Sequence, residues 1–101
     1  MSLEREFSED KKQLTIFLSE RFDFSLVQDF RTAYSNDTDT VNAIVIDLQV
    51  TEYMDSSALG MLLNMQKTLA KQVSTYKITN CRPQVLNILR IARFSKKFSI
   101  S

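Results

Sequence analysis

The stretch "IVIDLQVTEYMDSSALGMLL", residues 44–63, sets an apolar run and a helix-like apolar stripe on either side of an Asp-Ser-Ser turn. Ahead of the turn, Ala43 to Ile46 are apolar on consecutive positions, the pattern of a strand covered on both faces at the middle of a sheet. Beyond it, Ala58, Leu62, Met65, Leu69 and Val73, joined by Leu59, recur at three- and four-residue spacings. That spacing predicts a helix of about four turns. The turn itself, "MDSS" at 54–57, therefore joins a carboxyl strand end to a helix N-terminus. Asp and Ser are good helix caps there. A helix N-terminus also offers unpaired N–H groups and the positive end of a dipole, which suit a phosphate. The residue pattern alone favours the cap.

Outward from this centre, "QLTIFLS" (13–19) is short, apolar and partly β-branched, as in a strand. "FDFSLVQDFRTAY" (22–34) places Phe22, Leu26, Val27, Phe30 and Tyr34 on one helical stripe, with Ser25 and Gln28 spaced as a capping box. "SNDTDT" (35–40) is the dense loop-forming run. "TYKITN" (75–80) returns as a strand, Pro83 opens a third helix with Val85, Leu86, Leu89 and Ala92 as its buried face, and "KKFSI" (96–100) reads as a last short strand. Strands alternating with helices imply right-handed β-α-β units. The expected fold is a small α/β domain over residues 1–101, with a four- or five-stranded, mostly parallel sheet and about three helices. Ligands and partners of such sheets are met outside the carboxyl strand ends, where "MDSS" lies.

Composition removes several chemistries. The 101 residues are 44% hydrophobic and 25% charged, ordinary for a globular chain. No apolar run approaches the roughly 18 residues of a membrane span, and the start is charged where a signal peptide is apolar, so a cytoplasmic protein without membrane insertion is expected. Thirteen basic against twelve acidic residues give no global field for nucleic acid, and the local patch of Arg82, Arg90, Arg93, Lys96 and Lys97 reads as a solvated face. With no histidine and one cysteine, neither a common zinc site nor a Ser-His-Asp or Cys-His nucleophile assembles. A single glycine, Gly60, excludes glycine-rich phosphate loops. No metal, cofactor or enzymatic activity is expected. Asp47, Glu52 and Asp55 read as caps and solvated edges, Tyr53 and Met54 as strand-end packing, and Cys81 as core or near-core.

Taken together, these residues resemble a stand-alone STAS domain, the family of sulfate-transporter and anti-sigma-factor-antagonist domains, over nearly the whole chain. Residues 44–63 are similar to the family's apolar strand, Asp-Ser-Ser-Gly-Leu-Gly turn and following helix, and "LSERFD" (18–23) to its Gly-x-Leu-Asp segment. Ala58 and Glu20 stand where the family usually carries glycine. The resemblance implies a phosphoacceptor at Ser56, with Ser57 second, and Asp55 and Asp23 beside it. It implies protein partners: a serine kinase or anti-sigma-like regulator bound when Ser56 is free, and a serine phosphatase. Gly60, Leu63 and Lys67 share the helical face of Ser56, with Met61 and Asn64 adjoining, and are the expected partner contacts. The alternative is a constitutive subunit of a membrane-transport assembly of the ABC type, binding through the same face without a switch.

Overall fold

Residues Ala43–Asp47 form the central strand of a five-stranded sheet in the computed structural model, which describes residues 3–101. In chain order the elements are β1 (Leu3–Phe7), β2 (Gln13–Leu18), β3 (Arg21–Phe22), α1 (Val27–Ser35), β4 (Ala43–Asp47), β5 (Tyr53–Met54), α2 (Ser56–Thr68), β6 (Thr75–Thr79), α3 (Pro83–Ile91) and β7 (Ser99–Ile100). The main sheet runs β1-β2-β4-β6-β7, with β1 antiparallel to β2 and the other pairs parallel. β3 and β5 form a separate parallel pair. The small α/β fold with three helices and a mostly parallel sheet stands as expected, but the sheet is covered on one face, not two.

The strand order explains this. From β2 to β4, β6 and β7 the chain always steps in the same direction across the sheet. Right-handed crossovers then lay α1, α2 and α3 on the same side. Leu14, Ile16, Ile44, Ile46 and Ile78 face the helices and are fully buried. On the other face Thr15, Val45 and Lys77 form one row in register, and Lys77 is exposed. A run of four apolar residues suits a strand buried on both sides, yet here Val45 is only half-buried.

Several boundaries differ from expectation, each for a local reason. The N-terminal segment, whose charge hid it, is an edge strand: Leu3 is buried and Arg5 and Phe7 share its side, while Glu4 and Glu6 face water. Phe22 belongs to β3, and a 3-10 turn at Phe24–Leu26 precedes α1. α2 ends at Thr68, so buried Val73 lies beyond the helix. Ala92 is exposed where a buried position was expected, because α3 ends at Ile91 and the chain turns through Arg93, whose φ of 61° is left-handed. "KKFSI" contributes only Ser99–Ile100 as strand, Phe94–Lys96 being a 3-10 turn.

Candidate functional site

The site is built where the chain leaves β2 and β4. Thr51, fully buried, donates its hydroxyl to the Ser19 carbonyl at 2.8 Å. The N–H groups of Glu52 and Tyr53 both donate to the Glu20 carbonyl, at 2.8 and 3.0 Å. These bonds bring the two strand exits together as β3 and β5, with Arg21 paired to Tyr53 and Phe22 to Met54. Met54 is buried and Tyr53 exposed, so strand-end packing describes the first and not the second. Glu20 has no left-handed φ, so no glycine is required there, and Ala58 is fully buried with its methyl in the core.

Each short strand is followed by an aspartate that caps the turn after it in the same way, Asp23 the 3-10 turn that leads into α1 and Asp55 the first turn of α2. Asp23 accepts from the Ser25 N–H at 3.0 Å and its hydroxyl at 2.6 Å. Asp55 accepts from the Ser57 N–H at 3.1 Å, the Ala58 N–H at 3.3 Å and the Ser57 hydroxyl at 2.5 Å. The expected Ser25–Gln28 capping box is therefore replaced by Asp23, and in the second turn the cap is Asp55, with Ser57 supporting it. A carboxylate wins over a hydroxyl here because it accepts from several orphan donors at once and carries charge toward the helix dipole. Ser25, through its hydroxyl and N–H, holds the Asp23 carboxyl below the usual carboxylate range, and Arg21 adds to this.

The two serines of the turn are consequently unlike. Ser57 is half-buried with its hydroxyl committed to Asp55. Ser56, the first residue of α2, is exposed and its hydroxyl makes no hydrogen bond among the described residues.

Gly60, Leu63 and Lys67 lie exposed on α2, one to three turns from Ser56. A Cβ at Gly60 would meet nothing within 4 Å, so close packing inside the domain does not account for this glycine. Leu63 keeps 38% of its surface in water. Met61 departs from the expected surface set: it is 8% exposed and belongs to the core, with only an edge reaching the groove between α1 and α2. Asn64, exposed, donates to the Tyr34 hydroxyl at 3.4 Å across that groove, whose volume is about 330 Å³. Phe24, 68% exposed at its mouth, escaped the sequence reading because it falls off the stripe of Leu26, Phe30 and Tyr34. Cys81 packs half-buried against the core, and burial, then Asp47, pushes its thiol up.

Residues 4–101 match the STAS domain family. A STAS-domain containing protein of Pseudomonas aeruginosa (strain UCBPP-PA14) is 43% identical over 94 residues, covering 93% of each chain. Among solved structures, the unphosphorylated form of the anti-sigma factor antagonist SpoIIAA superposes with a TM-score of 0.75 at 19% identity, covering 98% of this chain and 86% of that one. An anti-sigma factor antagonist from Mycobacterium paratuberculosis gives 0.76 at 19% identity, covering 98% and 85%. At such identities the structures speak for the fold. No helix among the described residues is long and apolar enough to cross a membrane. By its match over nearly its full length and its 43% identical relative, the chain belongs to the STAS domain family, with a fold shared by anti-sigma factor antagonists.

Proposed function

We propose that the chain is a regulatory binding protein of the anti-sigma factor antagonist kind, switched at Ser56. A partner docks on the outer face of α2 while Ser56 is free and is released when a serine kinase phosphorylates it; a serine phosphatase restores binding. The observation that carries this reading is the division of labour after Asp55: Ser57 spends its hydroxyl on the cap and Ser56 leaves its own in solvent.

The energetics favour a switch that changes the surface and leaves the fold. A phosphate on Ser56 gains roughly 0.3–1 kcal/mol from the helix N-terminus. Asp55 opposes it by a similar amount, on the order of 1 kcal/mol across a few ångströms of water before screening. A docked partner must bury a charge of about −1.5 to −2, which costs several kcal/mol unless a cation receives it. At about 1.4 kcal/mol per factor of ten, a loss of a hundredfold or more in affinity follows.

Affinity capture from cells with wild type, Ser56→Ala and Ser56→Asp tests this. Wild type and Ser56→Ala should retain a common set of proteins that Ser56→Asp loses, and phosphopeptide mapping should place the modification on Ser56. Identical captures by all three variants would sink the switch, and membrane-transport ATPase components retained equally by all three would establish the constitutive alternative.

A further inference from the structure

The net charge of +1 conceals a division along the chain. All twelve acidic residues precede residue 56 and eight of the thirteen basic residues follow it, so residues 56–101 carry +8 and residues 1–55 carry −7. The topology turns this into a separation in space, since α2, β6, α3 and β7 build one side of the domain and β1, β2 and α1 the other. The ion pairs among the described residues, Arg5–Asp37 and Arg21–Asp23, both lie in the acidic part. The lysines of the basic part have no carboxylate partner among the described residues.

Between α2 and β6 this side holds a groove of about 600 Å³. Leu63, Ala70, Val73 and Tyr76 give it an apolar lining, and Lys67 and Lys97 stand on it as cations. A second recess shares Tyr76 and Lys97 and adds Lys96, and no carboxylate lines either. The walls are tied together: Gln66 donates its side-chain amide to the Lys97 carbonyl at 2.8 Å, and the Tyr76 hydroxyl to the Gln66 carbonyl at 3.3 Å. The groove is thus formed before anything binds.

We propose that this groove receives an acidic amphipathic helix of the partner protein, whose apolar side chains seat between Leu63 and Val73 and whose carboxylates meet Lys67 and Lys97. Leu63 to Ala70 spans about 10 Å along α2, room for the anchors of about two helical turns. The apolar lining selects a protein over a nucleic acid, whose phosphates gain nothing from Leu63 or Val73. The inference rests on the reading that the outer face of α2 is the docking surface, and it gives that reading a charge. Ser56 lies about 16 Å from Lys67 along the helix, roughly two screening lengths at physiological salt. Its phosphate therefore leaves the groove's cations in place and repels the acidic partner where that partner passes the helix start.

The test uses two synthetic helical peptides about five turns long with the same leucine stripe, one flanked by glutamates and one by lysines, titrated by fluorescence anisotropy into the full chain. The glutamate peptide should bind at least about tenfold more tightly, with an advantage that shrinks as salt rises. Lys67→Glu with Lys97→Glu should reverse the preference, and Leu63→Asp should weaken binding of the glutamate peptide. Because Lys67 also sits in the last turn of α2, where a cation complements the dipole, the pair Lys67→Gln and Lys97→Gln with parallel thermal unfolding guards against a fold defect. Equal binding of both peptides, binding of neither, or heparin competing as tightly as the glutamate peptide overturns the proposal. Undiminished binding of the glutamate peptide by chain phosphorylated at Ser56 supports the groove and counts against the switch.

Discussion

The guanidinium carbon of Arg21 lies 4.1 Å from the ring centroid of Tyr53, bridging the two short strands that lead into the capping residues Asp23 and Asp55. Arg21 also reaches Asp23 at 3.4 Å, an exposed pair of little energetic weight. Arg21→Ala should therefore cost about 0.5–1 kcal/mol, mostly the cation–π contact. Its larger effect should be on the β3–β5 pair, seen as faster hydrogen exchange at Tyr53 and Met54. Unchanged exchange there in a destabilised variant would place the loss elsewhere.

Ser57→Ala and Ser56→Ala should separate by stability. The first removes a half-buried hydroxyl donating to Asp55 and should cost about 0.5–1.5 kcal/mol. The second removes an exposed hydroxyl and should stay within about 0.5 kcal/mol of wild type. Urea unfolding of both variants decides it, and a reversed order would mean the wrong serine has been given the structural role.

Gly60→Ala should stabilise the isolated domain by about 0.5–1 kcal/mol, because a mid-helix glycine is unfavourable and the new methyl meets nothing within 4 Å. If partner binding nevertheless weakens, the partner's backbone approaches α2 at this point. A destabilised Gly60→Ala variant would contradict the open surroundings of this position.

Acid should unfold the protein partly through Asp23. Its carboxyl sits below the usual range because the Ser25 hydroxyl, then the Ser25 N–H, hold the ionised form. The Asp10 carboxyl is lowered in the same sense, first by the Ser8 hydroxyl and then by the Lys12 N–H. In the unfolded chain such groups titrate near about 3.9, so the stability they add is present above that pH and is lost as pH falls through the lower folded values. Asp23→Asn should flatten the acid limb of a stability-versus-pH curve, and superimposable limbs would show that Asp23 contributes nothing there.

The Cys81 thiol, raised first by burial and then by Asp47, should react with iodoacetamide near pH 8 more slowly in the folded than in the unfolded chain. Its linkage runs opposite to that of Asp23: the contribution is intact below the ordinary thiol value and is lost as pH rises through the folded one. Cys81→Ser should leave partner binding intact. A folded Cys81→Ser chain that no longer binds would give this thiol a role its surroundings do not suggest.

The centre of the chain was legible because two different periods meet at one turn: Ile44 and Ile46 in a strand, Ala58, Leu62 and Met65 in a helix, and Asp55 between them. The edges were not. "LEREF" alternates as a strand should, but its one wet face makes it read as a charged tail. The start of α1 is misread although "DFS" repeats the Asp-x-Ser logic of "DSS", because Phe22 lies four residues before Leu26 and so extends the helical stripe backward into what is β3. Whether β4 was covered once or twice lay beyond reach, since that depends on the order in which strands are laid down and not on any residue within β4. The charged groove on α2 was hidden by bookkeeping of another kind: a near-zero sum over the chain cancels two halves that the fold keeps apart.

The one-sided sheet gives the molecule a helix side and a bare side, and the bare side can serve as a mount. Glu6 on β1 stands in register with Thr15 on the bare side, at the strand edge far from α2. In a Cys81→Ser background, Glu6→Cys supplies a single attachment point through which the protein can be tethered to a sensor chip or a fluorophore with α2 turned to solution. The same tether at Lys67→Cys would turn that helix to the surface, so the two orientations report directly on which side a partner approaches.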